Sequence, residues 1–223
     1  MSVVKLPGVL RKHDKLFTEN LGSARGQRVY NERLISIDDL EYRSWNPYRS
    51  KLAAALLKGM PLHSLSEDTH VLYLGAATGT TVSHLSDIVK HGCVYAVEHS
   101  PIAMKKLLLV CEKRSNVIPL LFDANHPERY QIFVSTSVDF LYQDISQRNQ
   151  AQIFLSNMNR FLKPGGHGVL MVKARSIDVS LKPKEAYKLV EEELLADNVQ
   201  ITKILDLLPY EKDHAAFLVS SPE

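Results

Sequence analysis

The sequence predicts an α/β protein with a parallel main sheet, helices on both faces, and a small β-rich domain before it. From residue 70 onward, apolar runs alternate with stretches of helical periodicity, which is typical of a doubly wound sheet. No helical pattern separates the last two apolar runs, 199–207 and 215–220, so we expect the final strand pair to be antiparallel. We divide the chain into an N-terminal β-rich domain, 1–46, and an α/β domain, 47–223.

The N-terminal domain is predicted from short alternating segments between turn-forming dipeptides. Three segments read as antiparallel strands: 16–18, 28–30 and 34–37. Asn46-Pro47 closes this sheet, because the residue before a proline is driven towards extended geometry. A helix over 48–59 should follow, since its apolar residues recur at helical spacing.

The α/β domain has five apolar runs of strand length and four helical patterns between or after them. The predicted parallel strands are 71–74, 94–97, 117–121, 138–142 and 168–172. The predicted helices are 80–89, 101–114, 147–162 and 183–196. Because parallel strands end at one edge of the sheet, we expect a ligand at their carboxyl ends.

The segment VLYLGAATGTT holds the turn from the first parallel strand into its helix. Small residues at Gly75, Ala76 and Gly79 let a ligand approach where a larger side chain would collide. Thr80 or Thr81 can cap the helix, whose free N–H groups favour an anionic or polar ligand group. The spacing Gly-x-x-x-Gly differs from the dinucleotide fingerprint, and a tight turn without a ligand is the alternative.

Acidic residues follow the next three strands. The Glu98 carboxylate can accept hydrogen bonds from both hydroxyls of a ribose, or is a plain exposed glutamate. Asp123, beside Ala124, can accept from an adenine amino group, or only form a turn. Asp144 ends the fourth strand and is otherwise a helix cap. Together these positions predict a nucleoside site.

Lys173 closes the apolar run 168–172, which we expect to be buried on both faces. A buried lysine needs a partner, so we predict that it points into the cleft towards Asp144 on the neighbouring strand. A purely structural Lys–Asp pair is the alternative. Lys51 reads by itself as a solvated helix lysine, and His214 as a surface or capping group.

Composition limits the remaining possibilities. No apolar run is long enough to span a bilayer and the N-terminus lacks an apolar signal region, so we expect a cytoplasmic protein. Cys93 and Cys111 suit small buried positions, and no spacing suggests a disulfide framework or a zinc site. The net charge is only +2. Residues 1–58 nevertheless carry 11 Lys and Arg against 6 Asp and Glu, a basic balance that is compatible with nucleic acid.

These motifs together resemble the fibrillarin family. The resemblance rests on VLYLGAATGTTVSHLS, RVYNERL, WNPYRSKLAAAL, VKAR and PYEKDHA, with Glu98, Asp123-Ala124 and Asp144 to Gln147. It covers nearly the whole chain and is closest to the archaeal form, which has no Gly/Arg-rich tail. His99 stands where the family usually has an aromatic residue. Ile145-Ser146 replaces the common Val-Ala.

The resemblance implies a Rossmann-like, S-adenosylmethionine-dependent methyltransferase that acts on ribose 2′-hydroxyls of rRNA and tRNA. It implies cofactor contacts at Thr80, Thr81, Glu98, His99, Asp123, Ala124, Asp144, Ile145, Ser146 and Gln147. It maps the family's Lys-Asp-Lys-His set onto Lys51, Asp144, Lys173 and His214. Lysine in water has a pKa of about 10.4, stays protonated and cannot act as a base. Desolvation or the positive charges of Lys51 and the sulfonium would lower the pKa of Lys173, whereas Asp144 would raise it, so base and electrostatic stabiliser both remain open roles.

The resemblance also implies partners. A box C/D guide RNA would pair with the target RNA. A Nop-type scaffold protein and a kink-turn-binding ribosomal-type protein would place the enzyme over one nucleotide. Two other classes of function stay open at this point: a methyltransferase for a protein or small molecule on the same fold, and a non-catalytic subunit of an RNA–protein particle.

Overall fold

The chain forms two β-sheets in a computed structural model that describes residues 6–134 and 137–222. The first five residues of the predicted N-terminal domain and Glu223 lie outside that description. The N-terminal sheet is antiparallel, in the order β1-β2-β4-β3. Its strands are β1 (Val9–Lys12), β2 (Lys15–Glu19), β3 (Leu34–Ile37) and β4 (Leu40–Trp45).

The prediction of a strand at 28–30 is wrong. The carboxylate of Glu32 accepts the backbone N–H of Val29 at 3.0 Å and that of Tyr30 at 2.8 Å. The backbone donors that a strand would use there are therefore taken by a side chain. β1 and β4 were not predicted, and β4 ends at Trp45, immediately before the predicted Asn46-Pro47 boundary.

The main sheet has the predicted α/β topology. Its order is β10-β11-β9-β8-β5-β6-β7. The strands are β5 (His70–Leu74), β6 (Cys93–Glu98), β7 (Val117–Leu121), β8 (Val138–Gln143), β9 (Leu162–Lys173), β10 (Gln200–Asp206) and β11 (His214–Ser220). Strands β5 to β9 pair in parallel, whereas β11 is antiparallel to both β9 and β10. The expected antiparallel final pair is confirmed.

Helices cover both faces of this sheet. They are α1 (Lys51–Leu57), α2 (Thr80–Ile88), α3 (Pro101–Cys111), α4 (Gln150–Phe161), α5 (Ala174–Ile177) and α6 (Pro183–Ala196). One core joins α1, α2 and α3 to the sheet and to Leu16 and Trp45 of the N-terminal sheet. The other core holds α4 and α6. Within the described ranges, no helix has the length and apolar composition to cross a bilayer.

A buried ionic cluster joins the N-terminal sheet to α2. The carboxylate of Asp87 accepts hydrogen bonds from Arg43 at 2.8 Å, Arg114 at 2.5 Å and Thr18 at 2.6 Å. Arg43 also donates to Glu32 at 2.8 Å. The side chains of Arg43, Glu32 and Asp87 are 0% exposed. Two cations face two anions, so the cluster buries no net charge, as a stable buried group of ions requires.

His84 completes this interface as a neutral imidazole. Burial, with the nearby arginines, holds its pKa well below the ordinary value. His84 Nδ1 lies 2.7 Å from the Thr18 hydroxyl oxygen, and Nε2 lies 2.7 Å from the Tyr30 hydroxyl oxygen. The Tyr30 hydroxyl itself donates to the Ser44 carbonyl at 2.9 Å. The ring stacks on Trp45 with centroids 4.9 Å apart.

Arg43→Met should cost about 3–5 kcal/mol in the free energy of unfolding, because it leaves buried carboxylates without their cation. Urea denaturation would measure this. Lys188→Met, which removes the exposed helical pair with Glu192, is the control and should cost no more than about 0.5 kcal/mol. Equal losses in the two variants would mean that the cluster does not hold the sheets together.

Candidate functional site

A cavity of about 260 Å³ lies at the carboxyl edge of the parallel strands. The loops that follow β5, β6, β7 and β8 form its walls. This is where the strand order reverses, since β5 is flanked by β6 on one side and by β8 on the other. Most predicted cofactor residues lie on its wall: Gly75, Glu98, His99, Asp123, Ala124, Asp144, Ile145, Ser146 and Gln147.

The loop after β5 is shaped by residues with positive φ. At Gly75, φ is +82°, and a Cβ would lie 2.5 Å from the carbonyl oxygen of Asp144. Only glycine fits that approach of two chain segments. Ala77 also has a positive φ, of 49°, and its N–H donates to Glu98 at 2.8 Å. The loop is thereby tied to the ends of two neighbouring strands.

The start of α2 differs from the prediction. Gly79, with φ of 90°, is the N-cap, so neither Thr80 nor Thr81 caps the helix. Instead the Thr81 hydroxyl donates to the Ser50 hydroxyl oxygen at 2.9 Å. A glycine takes the cap because the turn requires a left-handed residue there. With Ala76, these residues shape the loop without lining the cavity.

Glu98 is only 7% exposed and lines the cavity. Oε2 accepts the Ala77 N–H at 2.8 Å, and Oε1 accepts the Ser100 N–H at 2.7 Å. A carboxylate oxygen accepts two hydrogen bonds, so each retains one lone pair for a ligand hydroxyl. His99 lies beside it with a 70% exposed side chain.

Asp123 makes the turn that was its alternative interpretation, yet it still lines the cavity. Its Oδ1 accepts from the backbone N–H of Asn125 at 2.9 Å and from the side-chain amide at 2.8 Å. The backbone hydrogen bond is the main reason why the pKa of Asp123 lies below its ordinary value. The group is an ionised acceptor near neutral pH, beside the buried Ala124.

Asp144 pairs with Lys51, which corrects the predicted pair with Lys173. The Lys51 ammonium lies 2.8 Å from Oδ1 and 3.0 Å from Oδ2. Ser50 caps α1 and contacts Thr81 at the start of α2, so the first residue of α1 is held over the end of β8. Both side chains of the pair are 19% exposed. Lys51 is therefore not a solvated helix lysine.

Lys173 and His214 are cross-strand neighbours at the same edge. His214 Nδ1–H donates to the Lys212 carbonyl at 2.7 Å, which leaves Nε2 as an acceptor. Burial lowers the pKa of His214 below its ordinary value, although that hydrogen bond opposes the shift. The imidazole is neutral at pH 7, and only 8% exposed rather than on the surface. Lys173 is half-buried, without a carboxylate within 4.0 Å among residues 6–134 and 137–222.

Comparison with known proteins places the whole chain in one family. A model of the family described as Fibrillarin matches residues 5–222. The chain belongs to the fibrillarin family. It is 46% identical to the fibrillarin-like rRNA/tRNA 2′-O-methyltransferase of Pyrococcus furiosus, over 98% of this chain and 97% of the relative.

Two solved structures extend the similarity to the fold. Aeropyrum pernix fibrillarin, in complex with natively bound S-adenosyl-L-methionine, has a TM-score of 0.84 at 41% identity, covering 97% of this chain and 100% of the other. A fibrillarin/Nop5p complex contains a chain with a TM-score of 0.88 at 45% identity, with coverage of 97% and 98%. The Rossmann-like sheet and the small N-terminal sheet are thus those of fibrillarin.

Gln150, which the sequence interpretation missed, holds the backbone of Lys173. Its side-chain oxygen accepts the Lys173 N–H at 3.0 Å, and its Nε2 donates to the Lys173 carbonyl at 3.2 Å. The carbonyl of Gln150 accepts in turn from Gln143 at 2.6 Å. Pairing between β8 and β9 ends at Leu170, so this buried amide replaces the missing strand partner. No sequence signal marked this role, because the helix was predicted to begin at residue 147, which places Gln150 inside its first turn.

Three apolar residues of the cavity were also missed: Ala77, Val97 and Phe122. Phe122 directly precedes Asp123, but an aromatic residue after a strand is common in a core. Only the loop geometry turns it towards the cavity. In the part of the chain that the structure describes, no group of three His, Cys, Asp or Glu residues is arranged to hold a metal ion.

Gln150→Leu should loosen the end of β9 while the fold persists. It leaves the Lys173 N–H and C=O without partners, at a cost of about 1–3 kcal/mol. Amide hydrogen exchange would show this as faster exchange at Lys173. Gln152→Leu, on the exposed side of the same helix, is the control. Unchanged protection at Lys173 in Gln150→Leu would contradict the assigned role.

Proposed function

We propose that this chain transfers the methyl group of S-adenosylmethionine to ribose 2′-hydroxyls of rRNA and tRNA, guided by a box C/D RNA. One observation carries the proposal. A cavity with acceptors for a nucleoside lies at the sheet edge that also holds Lys51, Asp144, Lys173 and His214. The activity named for the Pyrococcus furiosus relative supports the same reaction.

S-adenosylmethionine is the cofactor that this cavity would bind. The free lone pairs of Glu98 would accept from the ribose hydroxyls, and Asp123 from the adenine amino group beside the Ala124 N–H. Gly75 would let the loop that borders this cavity pack against the Asp144 backbone. The same cofactor is bound in the Aeropyrum pernix fibrillarin structure, which supports the assignment.

The reaction needs an oxygen nucleophile in line with the methyl–sulfur bond. The new C–O bond forms as the C–S bond breaks, and the 2′-hydroxyl must lose its proton. Lys173 lies at this sheet edge without a carboxylate within 4.0 Å in the two described ranges, and we assign it to the acceptor oxygen, as base or as stabiliser of the developing alkoxide. The Lys51–Asp144 pair and His214 Nε2 would position the ribose and its phosphate.

The choice of nucleotide would come from outside the chain. With a net charge of +2, the protein alone should bind RNA weakly and without sequence preference. A guide RNA paired with the target, a Nop-type scaffold and a kink-turn-binding protein would supply the selection in the archaeal cytoplasm. The fibrillarin/Nop5p complex supports the scaffold partner.

Shifting the complementary stretch of the guide RNA by one nucleotide should move the methylated ribose by one nucleotide. Radiolabelled S-adenosylmethionine, with mapping of 2′-O-methyl groups, measures this in the assembled particle. The isolated protein is the control and should be nearly inactive on RNA. Robust methylation at a fixed site without guide or partners would contradict guided transfer, and label only on protein would favour the protein-methyltransferase alternative.

Lys173→Ala should lower single-turnover methylation by about 10²–10⁴-fold, because a group acting on the transferred proton or charge is lost. Cofactor affinity should change little. Lys184→Ala, at an exposed position of α6, is the matched control. Lys173→Arg separates the two roles: arginine keeps the charge but cannot act as a base, so substantial activity would identify Lys173 as a stabiliser. Activity of Lys173→Ala within tenfold of wild type would refute the assignment.

A further inference from the structure

A second cavity, of about 560 Å³, lies between the N-terminal sheet region and α3. Residues 24 and 27–31 form one wall, and α3 with the residues just after it forms the other. The Ser23 hydroxyl donates to the Lys113 carbonyl at 2.8 Å, which joins the two walls at one end. This cavity, the basic groove, is separate from the candidate cofactor cavity.

Five of the thirteen residues that line the basic groove are Arg or Lys, and none of the thirteen is Asp or Glu. Arg28, Arg49, Lys106 and Lys113 are exposed on its walls. Arg114 also lines the groove, but its buried guanidinium forms an ion pair with Asp87. None of the four exposed cations has a carboxylate partner within 4.0 Å in the two described ranges. Such an arrangement attracts an anionic polymer or an acidic surface rather than a neutral or basic one.

The groove adjoins the candidate active site. Thr78 lines the basic groove, whereas the preceding Ala77 lines the cofactor cavity. On the other side, Arg49 of the groove lies two residues before Lys51, which pairs with Asp144. A polymer with regularly spaced negative charges could therefore lie in the groove while one of its units reaches the sheet edge.

We infer that the basic groove binds phosphates of the RNA strand that flanks the target ribose; this inference rests on the proposed function. Arginine and lysine are the side chains that hold phosphate oxygens, and such contacts position a strand without reading its bases. That suits an enzyme whose target is chosen by base pairing elsewhere. An acidic surface of a protein partner is the competing occupant, and the groove's continuity with the reaction site favours RNA.

The test is a triple variant of the full chain, Arg28→Gln, Lys106→Gln and Lys113→Gln. The matched control is Arg11→Gln, Lys184→Gln and Lys188→Gln, which removes the same charge at exposed positions outside the groove. Binding of a single-stranded RNA oligonucleotide is measured by fluorescence anisotropy across a salt series. The groove variant should weaken binding, with a salt slope shallower by about one for each cation lost. The control should change it less.

In the assembled particle, the groove variant should raise the KM for target RNA by about tenfold. The rate at saturating RNA should change less. Equal loss of RNA affinity in both triple variants would overturn the inference, because it would reflect overall charge. Weaker assembly with the Nop-type protein, without loss of RNA binding, would assign the groove to the partner and also overturn it.

Further measurements distinguish a failure of the groove assignment from a failure of the proposed function. Urea denaturation and cofactor affinity should match wild type in the groove variant, since its three residues touch neither the buried cluster nor the cofactor cavity. If wild-type protein methylates guided RNA and the groove variant is unimpaired, only the groove assignment fails. If wild-type protein transfers no methyl group to RNA, the proposed function itself fails.

Discussion

The carboxylate of Asp87 is the contact on which much of the structure depends. It lies on α2 and accepts hydrogen bonds from two buried arginines, one on β4 and one after α3, and from a threonine of β2. Three separate chain segments are thus fixed to one helix. A buried carboxylate without its cations costs free energy. Separation of the N-terminal sheet from α2 would leave Asp87 either exposed or without its Arg43 partner, and is therefore unfavourable.

This constraint reaches the sheet edge through α2 itself. The first turn of α2 touches the cap of α1 through Thr81 and Ser50, and α1 carries Lys51 to Asp144. The loop before α2 lines the cofactor cavity on one side and the basic groove on the other. The N-terminal sheet is therefore a structural support of the proposed site, and the segment between β2 and β3 forms one wall of the proposed RNA groove.

Charge at the proposed site is distributed in a way that suits methyl transfer. Lys51 and Asp144 form an ion pair, His214 is neutral through burial, and Lys173 has no carboxylate within 4.0 Å in the two described ranges. Under the proposed function, Lys173 would act at the acceptor oxygen, as base or as electrostatic stabiliser of the developing negative charge. The Gln150 side chain bonds both the N–H and the carbonyl of Lys173. The position of the Lys173 backbone therefore does not depend on contacts of the Lys173 side chain.

The sequence alone determined the alternation of strands and helices. It also determined the edge at which Glu98, Asp123 and Asp144 gather, because parallel strands end together. Tertiary structure decided the partners. Asp144 pairs with a lysine 93 residues away rather than with Lys173, and Glu32 consumes the N–H groups of an expected strand. The periodicity of a local sequence pattern specifies a helix or a strand. Contacts between side chains of distant elements depend on where tertiary packing holds each helix, and a local pattern carries no information about that.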